Sequence, residues 1–114
     1  MPYLSIQTNK PLDKLTQETL LKKASKLVSE LLNKPETYVM VAISASSPML
    51  FAGTHETCAY LELKSIRLPE DSSQDYSNAL CSLISDEIDI EKSRVYIEFS
   101  NAERHLWGWK GTTF

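Results

Sequence analysis

Cysteine is scarce in this chain, and the little there is has no pattern. Cys58 and Cys81 are too few for a disulfide framework. Together with His55 and His105 they lack the paired spacings of a zinc site, so no metal and no cofactor are expected. Both thiols read as reduced, buried side chains of a cytoplasmic protein. A basic surplus is missing too: the 114 residues carry a formal net charge of −3, with lysines interleaved among acids. That balance excludes nucleic acid as the expected partner, because phosphate binding needs a basic face. No apolar run approaches the length of a membrane span. No charged-then-apolar leader is seen, so neither a membrane anchor nor a classical secretion signal is expected, which leaves non-classical export open. What is there, 42% hydrophobic and 24% charged residues, is the ordinary mixture of one globular domain with a small core.

The chain opens Met1-Pro2-Tyr3-Leu4-Ser5-Ile6. Aminopeptidases trim Met before a small residue, and Pro qualifies. Trimming would leave a secondary amine at the edge of an apolar strand. Chain-terminal amines already titrate near neutrality, and apolar surroundings lower them further. A neutral, rigid, nucleophilic nitrogen suits a general base or an imine former. The plainer reading is that Pro2 starts a strand, where a missing N–H costs nothing.

Tyr3 to Gln7 reads as that strand. A helix follows, capped by Asp13 or Thr16, with Leu20, Leu21, Ala24, Leu27, Val28, Leu31 and Leu32 on one stripe. Asn33-Lys34-Pro35 ends it. Tyr38 to Ile43 is continuously apolar, as in a strand buried on both faces. A loop from Ser44 to Gly53 leads to a strand over Cys58 to Ile66. Ser72 with Asp75 resembles a capping box before a second helix, whose buried stripe is Tyr76, Ala79, Leu80, Leu83, Ile84 and Ile88. From Arg94 to Ser100 the residues alternate, Val95, Ile97 and Phe99 on one side and Tyr96, Glu98 and Ser100 on the other.

The two halves echo each other. Tyr3-Leu4-Ser5-Ile6 matches Tyr60-Leu61-Glu62-Leu63, and Tyr38-Val39-Met40-Val41 matches Tyr96-Ile97-Glu98-Phe99 at nearly the same offset. Residues 1–57 and 58–114 therefore read as two copies of a βαβ unit with right-handed crossovers. The expected fold is α/β, an α+β sandwich: a four-stranded mixed sheet with both helices on one face. The other face is left bare, and an apolar Tyr38–Ile43 strand there would need covering, so self-association is expected.

Read together, Pro2 behind Met1, Thr8-Asn9, the Asn33-Lys34-Pro35 break, Phe51-Ala52-Gly53, Ser65-Ile66, Arg94-Val95-Tyr96-Ile97 and the ending Gly108-Trp109-Lys110-Gly111-Thr112-Thr113-Phe114 resemble the macrophage migration inhibitory factor family, within the tautomerase superfamily. The resemblance runs the length of the chain. It implies a homotrimer and a keto–enol tautomerase for phenylpyruvate-like α-keto acids, with a pocket between subunits. By position Pro2 would be the proton-transferring amine. Lys34 would hold the substrate carboxylate as a point charge, and the Ile66 N–H, preceded by Ser65, would contact the same group. Tyr96 would come from the adjacent subunit, and Tyr38, Trp109 and Phe114 would line the pocket. Each residue also has a plainer reading: Lys34 beside a helix C-terminus, Tyr38 and Tyr96 as strand aromatics, Trp107 and Trp109 as packing, Ile66 as core. The alternative function is a non-catalytic, cytokine-like binding or signalling trimer with an unidentified receptor. A structural trimer without ligand is a third.

The chain departs from the family pattern at a few places. Glu98 stands where vertebrate members have asparagine; its carboxylate would repel an anionic substrate and raise the amine's pKa, both weakening a base. Trp107 replaces a smaller aliphatic and would narrow the pocket, and Tyr3 replaces a methionine-like neighbour of the proline. The vertebrate Cys-x-x-Cys is absent, Leu61 following Cys58 at the second position, which excludes a dithiol redox role.

Overall fold

A helix starts where a side chain can replace the missing backbone acceptor. In a computed structural model describing residues 1–114, Asp13 does this, its carboxylate accepting the Thr16 N–H at 2.7 Å. Helix α1 runs Lys14–Leu32 and buries Leu20, Ala24, Val28 and Leu32, the centre of the expected stripe. It stops at Asn33, which turns left-handed (φ 51°) while the N–H groups of Asn33 and Lys34 bond the carbonyls of Glu30 and Ser29. Asparagine tolerates that conformation better than most residues, and the paired bonds satisfy carbonyls the helix end leaves free.

Four strands form the sheet: β1 (Tyr3–Thr8), β2 (Met40–Ser44), β3 (Ala59–Ile66) and β4 (Val95–Ala102), in the order β2-β1-β3-β4. β1 lies parallel to β2 and antiparallel to β3, and β3 is parallel to β4. With α1 and α2 (Ser73–Ile88) this gives two strand–helix–strand units in one mixed sheet, as expected. Leu4 and Ile6 of β1, Leu61 and Leu63 of β3, and Val95 of β4 point into a core closed by Leu20, Ala24 and Val28 of α1 and Tyr76, Leu80 and Ile84 of α2. Thr8 and Asn9 fasten the end of β1 to the start of β3. The buried Thr8 hydroxyl donates to the Cys58 carbonyl at 2.7 Å, and Asn9 accepts the Cys58 N–H at 2.9 Å.

Three expectations need correcting. The Tyr38–Ile43 run is not one strand and, within the chain, is not buried on both faces: Tyr38 closes a short 3₁₀ turn (Glu36–Tyr38), and β2 is an edge strand of its own sheet. Val41 and Ile43 pack towards the core while Met40, on the bare face, is 65% exposed, so an apolar run here encodes one buried and one open row. The bare face is also more polar than that run suggests, with Ser5, Gln7, Glu62, Lys64, Glu98 and Ser100 on it; Lys64 pairs with Glu62 at 3.1 Å. Second, Ser72 forms no capping box. A 3₁₀ turn (Glu70–Ser72) leads into α2 and holds Ser72 at φ −104°, ψ 9°, away from the extended geometry from which a cap reaches forward. Third, Cys58 is buried but Cys81 is only half so.

Candidate functional site

The stop of α1 carries Lys34 towards the end of β3. There its ammonium donates to the Ser65 hydroxyl at 2.9 Å and to the carbonyl of Ile66. Ser65 is fully buried and Ile66 nearly so. The lysine is thus held by two neutral acceptors and no carboxylate, which leaves its charge uncompensated. Its pKa is lowered, first by burial and then by the Arg67 charge. A ligand carboxylate would relieve both effects. Ile66 meets this corner through its carbonyl and lines the cavity beside Lys34.

Pro2 lies fully buried at the start of β1, its carbonyl accepting the Met40 N–H at 3.0 Å. Above it sits the chain's ending, which the sequence reading did not resolve into elements: a two-residue hairpin of β5 (Gly108–Trp109) and β6 (Thr112–Thr113). Lys110 (φ 54°) and Gly111 (φ 74°) take the two left-handed positions such a turn requires. The hairpin holds Trp109 stacked on Phe114, centroids 5.3 Å apart, with Tyr38 edge-on to Trp109 at 5.9 Å. The Trp107 carbonyl accepts the Phe114 N–H.

Two cavities meet here. One, about 500 Å³, is lined by Pro2, Tyr3, Tyr38, Trp107, Trp109 and Phe114 among others. The other, about 310 Å³, is lined by Lys34, Ile66, Arg67 and Arg104, with Pro35, Tyr38 and Phe114. Met1, Tyr38 and Phe114 belong to both walls. The Met1 amine donates to the Tyr38 carbonyl at 2.9 Å, and its pKa falls to about 6, chiefly through burial and then through the Lys34 charge. This spot disfavours a positive charge on nitrogen. It can hold an amine neutral, take up an apolar or aromatic body, and seat an anion beside it.

Of the residues singled out from sequence, Pro2, Tyr38, Trp107, Trp109 and Phe114 share one cavity, and Lys34, Ile66, Tyr38 and Phe114 share its neighbour, with Ser65 beneath Lys34. Tyr96 and Glu98 are elsewhere. Tyr96, 65% exposed, packs against Phe51 at 4.7 Å in an apolar hollow with Leu50 and Cys58. Glu98 accepts the Tyr60 hydroxyl at 2.6 Å on the bare face, which pushes the phenol up to about 12. The sequence reading missed Arg67, Arg104, Met40 and Lys64. Lys64 could have been found, since its alternation with Leu63 places it on the face of Tyr3, its cross-strand partner. Arg67 and Arg104 follow strands β3 and β4, where no local pattern marks them. No three His, Cys, Asp or Glu side chains converge to hold a metal, and no helix is long and apolar enough to cross a membrane.

The family model for macrophage migration inhibitory factor matches residues 1–114. A homologue of that factor from Wuchereria bancrofti is 37% identical over 115 aligned positions, covering 100% of this chain and 99% of the relative. The factor from Mus musculus is 32% identical with the same coverage. Among solved structures, a homologue from Prochlorococcus marinus superposes with a TM-score of 0.93 at 37% identity, covering 98% of each chain. One from Trichinella spiralis gives 0.90 at 31%, covering 98% of this chain and 99% of that one.

Proposed function

The chain belongs to the macrophage migration inhibitory factor family, and from that membership we propose that it is a keto–enol tautomerase of aromatic α-keto acids working through the Pro2 amine. The observation that carries this reading is the setting of Pro2: buried beneath Trp107, Trp109 and Phe114, next to a cavity that holds an uncompensated Lys34. An amine one residue away is already pushed down to about 6 by burial and by Lys34, and the Pro2 nitrogen would meet the same two influences. With Met1 attached that nitrogen is an amide and has no lone pair to offer, so the activity requires trimming.

The substrate's carboxylate would sit at Lys34 and its ring among the aromatics. The neutral Pro2 nitrogen takes a proton from the carbon beside the carbonyl. The C–H electron pair becomes the enol double bond, and the carbonyl oxygen gains a proton; the reverse step restores the ketone. Nothing is consumed, so no co-reactant is needed. Tyr96 and Glu98, remote from Pro2 within one chain, would join the pocket only if a second copy brought them, as in the trimer that the resemblance implies.

Ketonisation of an aromatic enol acid by the trimmed protein tests this. Pro2→Gly should lower kcat/KM by about 10²–10⁴-fold, the usual contribution of a positioned base. An unchanged rate, or an intact mass showing Met1 retained in the cell-made protein, sinks the enzyme and leaves the binding protein of the same fold.

A further inference from the structure

The cavity beside Pro2 carries more positive charge than a simple keto acid uses. Lys34, Arg67 and Arg104 all line it, and no aspartate or glutamate does. This concentration stands out in a chain whose net charge is −3. The molecule's ion pairs are Lys23 with Glu87, Lys64 with Glu62 and His105 with Glu103, so neither arginine has an acidic partner. Nor does either guanidinium donate a side-chain hydrogen bond, in contrast to Arg94, which is spent on the carbonyls of Phe51, Glu56 and Thr57. Lys34 and Arg67 are close enough that the arginine's charge, after burial, depresses the lysine's pKa. One carboxylate on Lys34 answers one of three charges. A guanidinium presents a planar fork matched to a second carboxylate, held through two parallel N–H bonds.

We propose that the site takes a 2-oxo dicarboxylic acid, its second carboxylate bound by Arg67 and Arg104. This rests on the tautomerase reading for its proton transfer and puts a second carboxylate in place of the aromatic ring: the reacting carbon lies over Pro2 while both acidic groups reach into the smaller cavity. Tyr38 and Phe114, walls common to the two cavities, then border the carbon chain joining the two ends.

Calorimetric titration of the trimmed, full-length protein with succinate and with butyrate isolates the second carboxylate, since the two ligands have the same number of carbons. Succinate should bind tenfold or more tightly, as a charge-assisted pair contributes. In the Arg67→Gln/Arg104→Gln double variant that advantage should collapse to near parity. Equal affinities in the wild type overturn the proposal. So does an advantage that survives in the double variant, because both ligands would then be answering a diffuse positive field. Thermal unfolding by circular dichroism should be unchanged by the double substitution, both side chains being exposed. Ketonisation of enol oxaloacetate separates this from the parent reading. Pro2→Gly should lower turnover by about 10²–10⁴-fold yet keep the succinate preference, whereas turnover unchanged in Pro2→Gly removes the base and leaves the dicarboxylate site standing.

Discussion

The two helices end alike and lead to opposite uses. α1 stops at Asn33 (φ 51°, ψ 50°) and α2 at Asp89 (φ 54°, ψ 52°). Pro35 (φ −58°, ψ 138°) and Glu91 (φ −60°, ψ 137°) then precede matching 3₁₀ turns, Glu36–Tyr38 and Lys92–Arg94. Between stop and turn each unit sends one side chain towards the sheet. In the first unit it is Lys34, held by Ser65 and Ile66 beside a cavity; in the second it is Ile90, 1% exposed in the core. The residues closing the turns diverge as well, Tyr38 packing on Trp109 and Arg94 pinning the loop at Phe51 and Glu56. A repeated backbone therefore supplies the position, and the residue placed there decides between core and site.

Exchanging the two roles should have the largest effect. Ile90→Lys puts an unpaired charge into the core and should cost more than about 4 kcal/mol, read as loss of a cooperative urea transition. Lys34→Met should change stability by less than about 1 kcal/mol but weaken a keto acid's kcat/KM about tenfold to a hundredfold, the share of a charged hydrogen bond. If both variants unfold the protein equally, the two stops are not functionally distinct.

The pH dependence sharpens the same contrast. The base must be neutral, so activity should rise with pH through the titration of the Pro2 amine, held low by the burial and the Lys34 charge that lower the Met1 amine. Lys34 must be charged, so activity should fall on the alkaline side, at a pKa below the usual 10.5 because burial and Arg67 lower it. Lys34→Met should erase the alkaline limb and, by removing a charge that holds the amine's pKa down, move the acid limb to higher pH. The smallest effect is the one the units share: Asn33→Gly and Asp89→Gly should each stabilise by about 0.5 kcal/mol in thermal unfolding, since glycine adopts the left-handed conformation freely. A gain at one stop and a loss at the other would show that the two turns are not equivalent.

Much of the scaffold was readable in advance because its causes are local. The stripe through Leu20, Ala24 and Val28, the breaker Asn33-Lys34-Pro35 and the alternation from Val95 to Phe99 each follow from a few neighbouring residues. The misreadings had non-local causes. The apolar run at Tyr38–Ile43 resembles a central strand, and only the order of the sheet makes it an edge. Ser72 has a cap's residue type, but Pro69 and the turn after it remove the geometry. Arg67 and Arg104 sit far apart in the chain and matter only because β3 and β4 run parallel and end side by side.

The sequence alone determined the two strand–helix–strand units, the helix stops and the proline behind the first methionine, since hydrophobic period and backbone preference act over a few residues. Tertiary structure decided that Lys34 meets Ser65, that the closing hairpin roofs Pro2, and that three cations line one cavity while Tyr96 and Glu98 lie elsewhere. Those meetings depend on strand register and on where the chain's ends fold back, which no short stretch encodes.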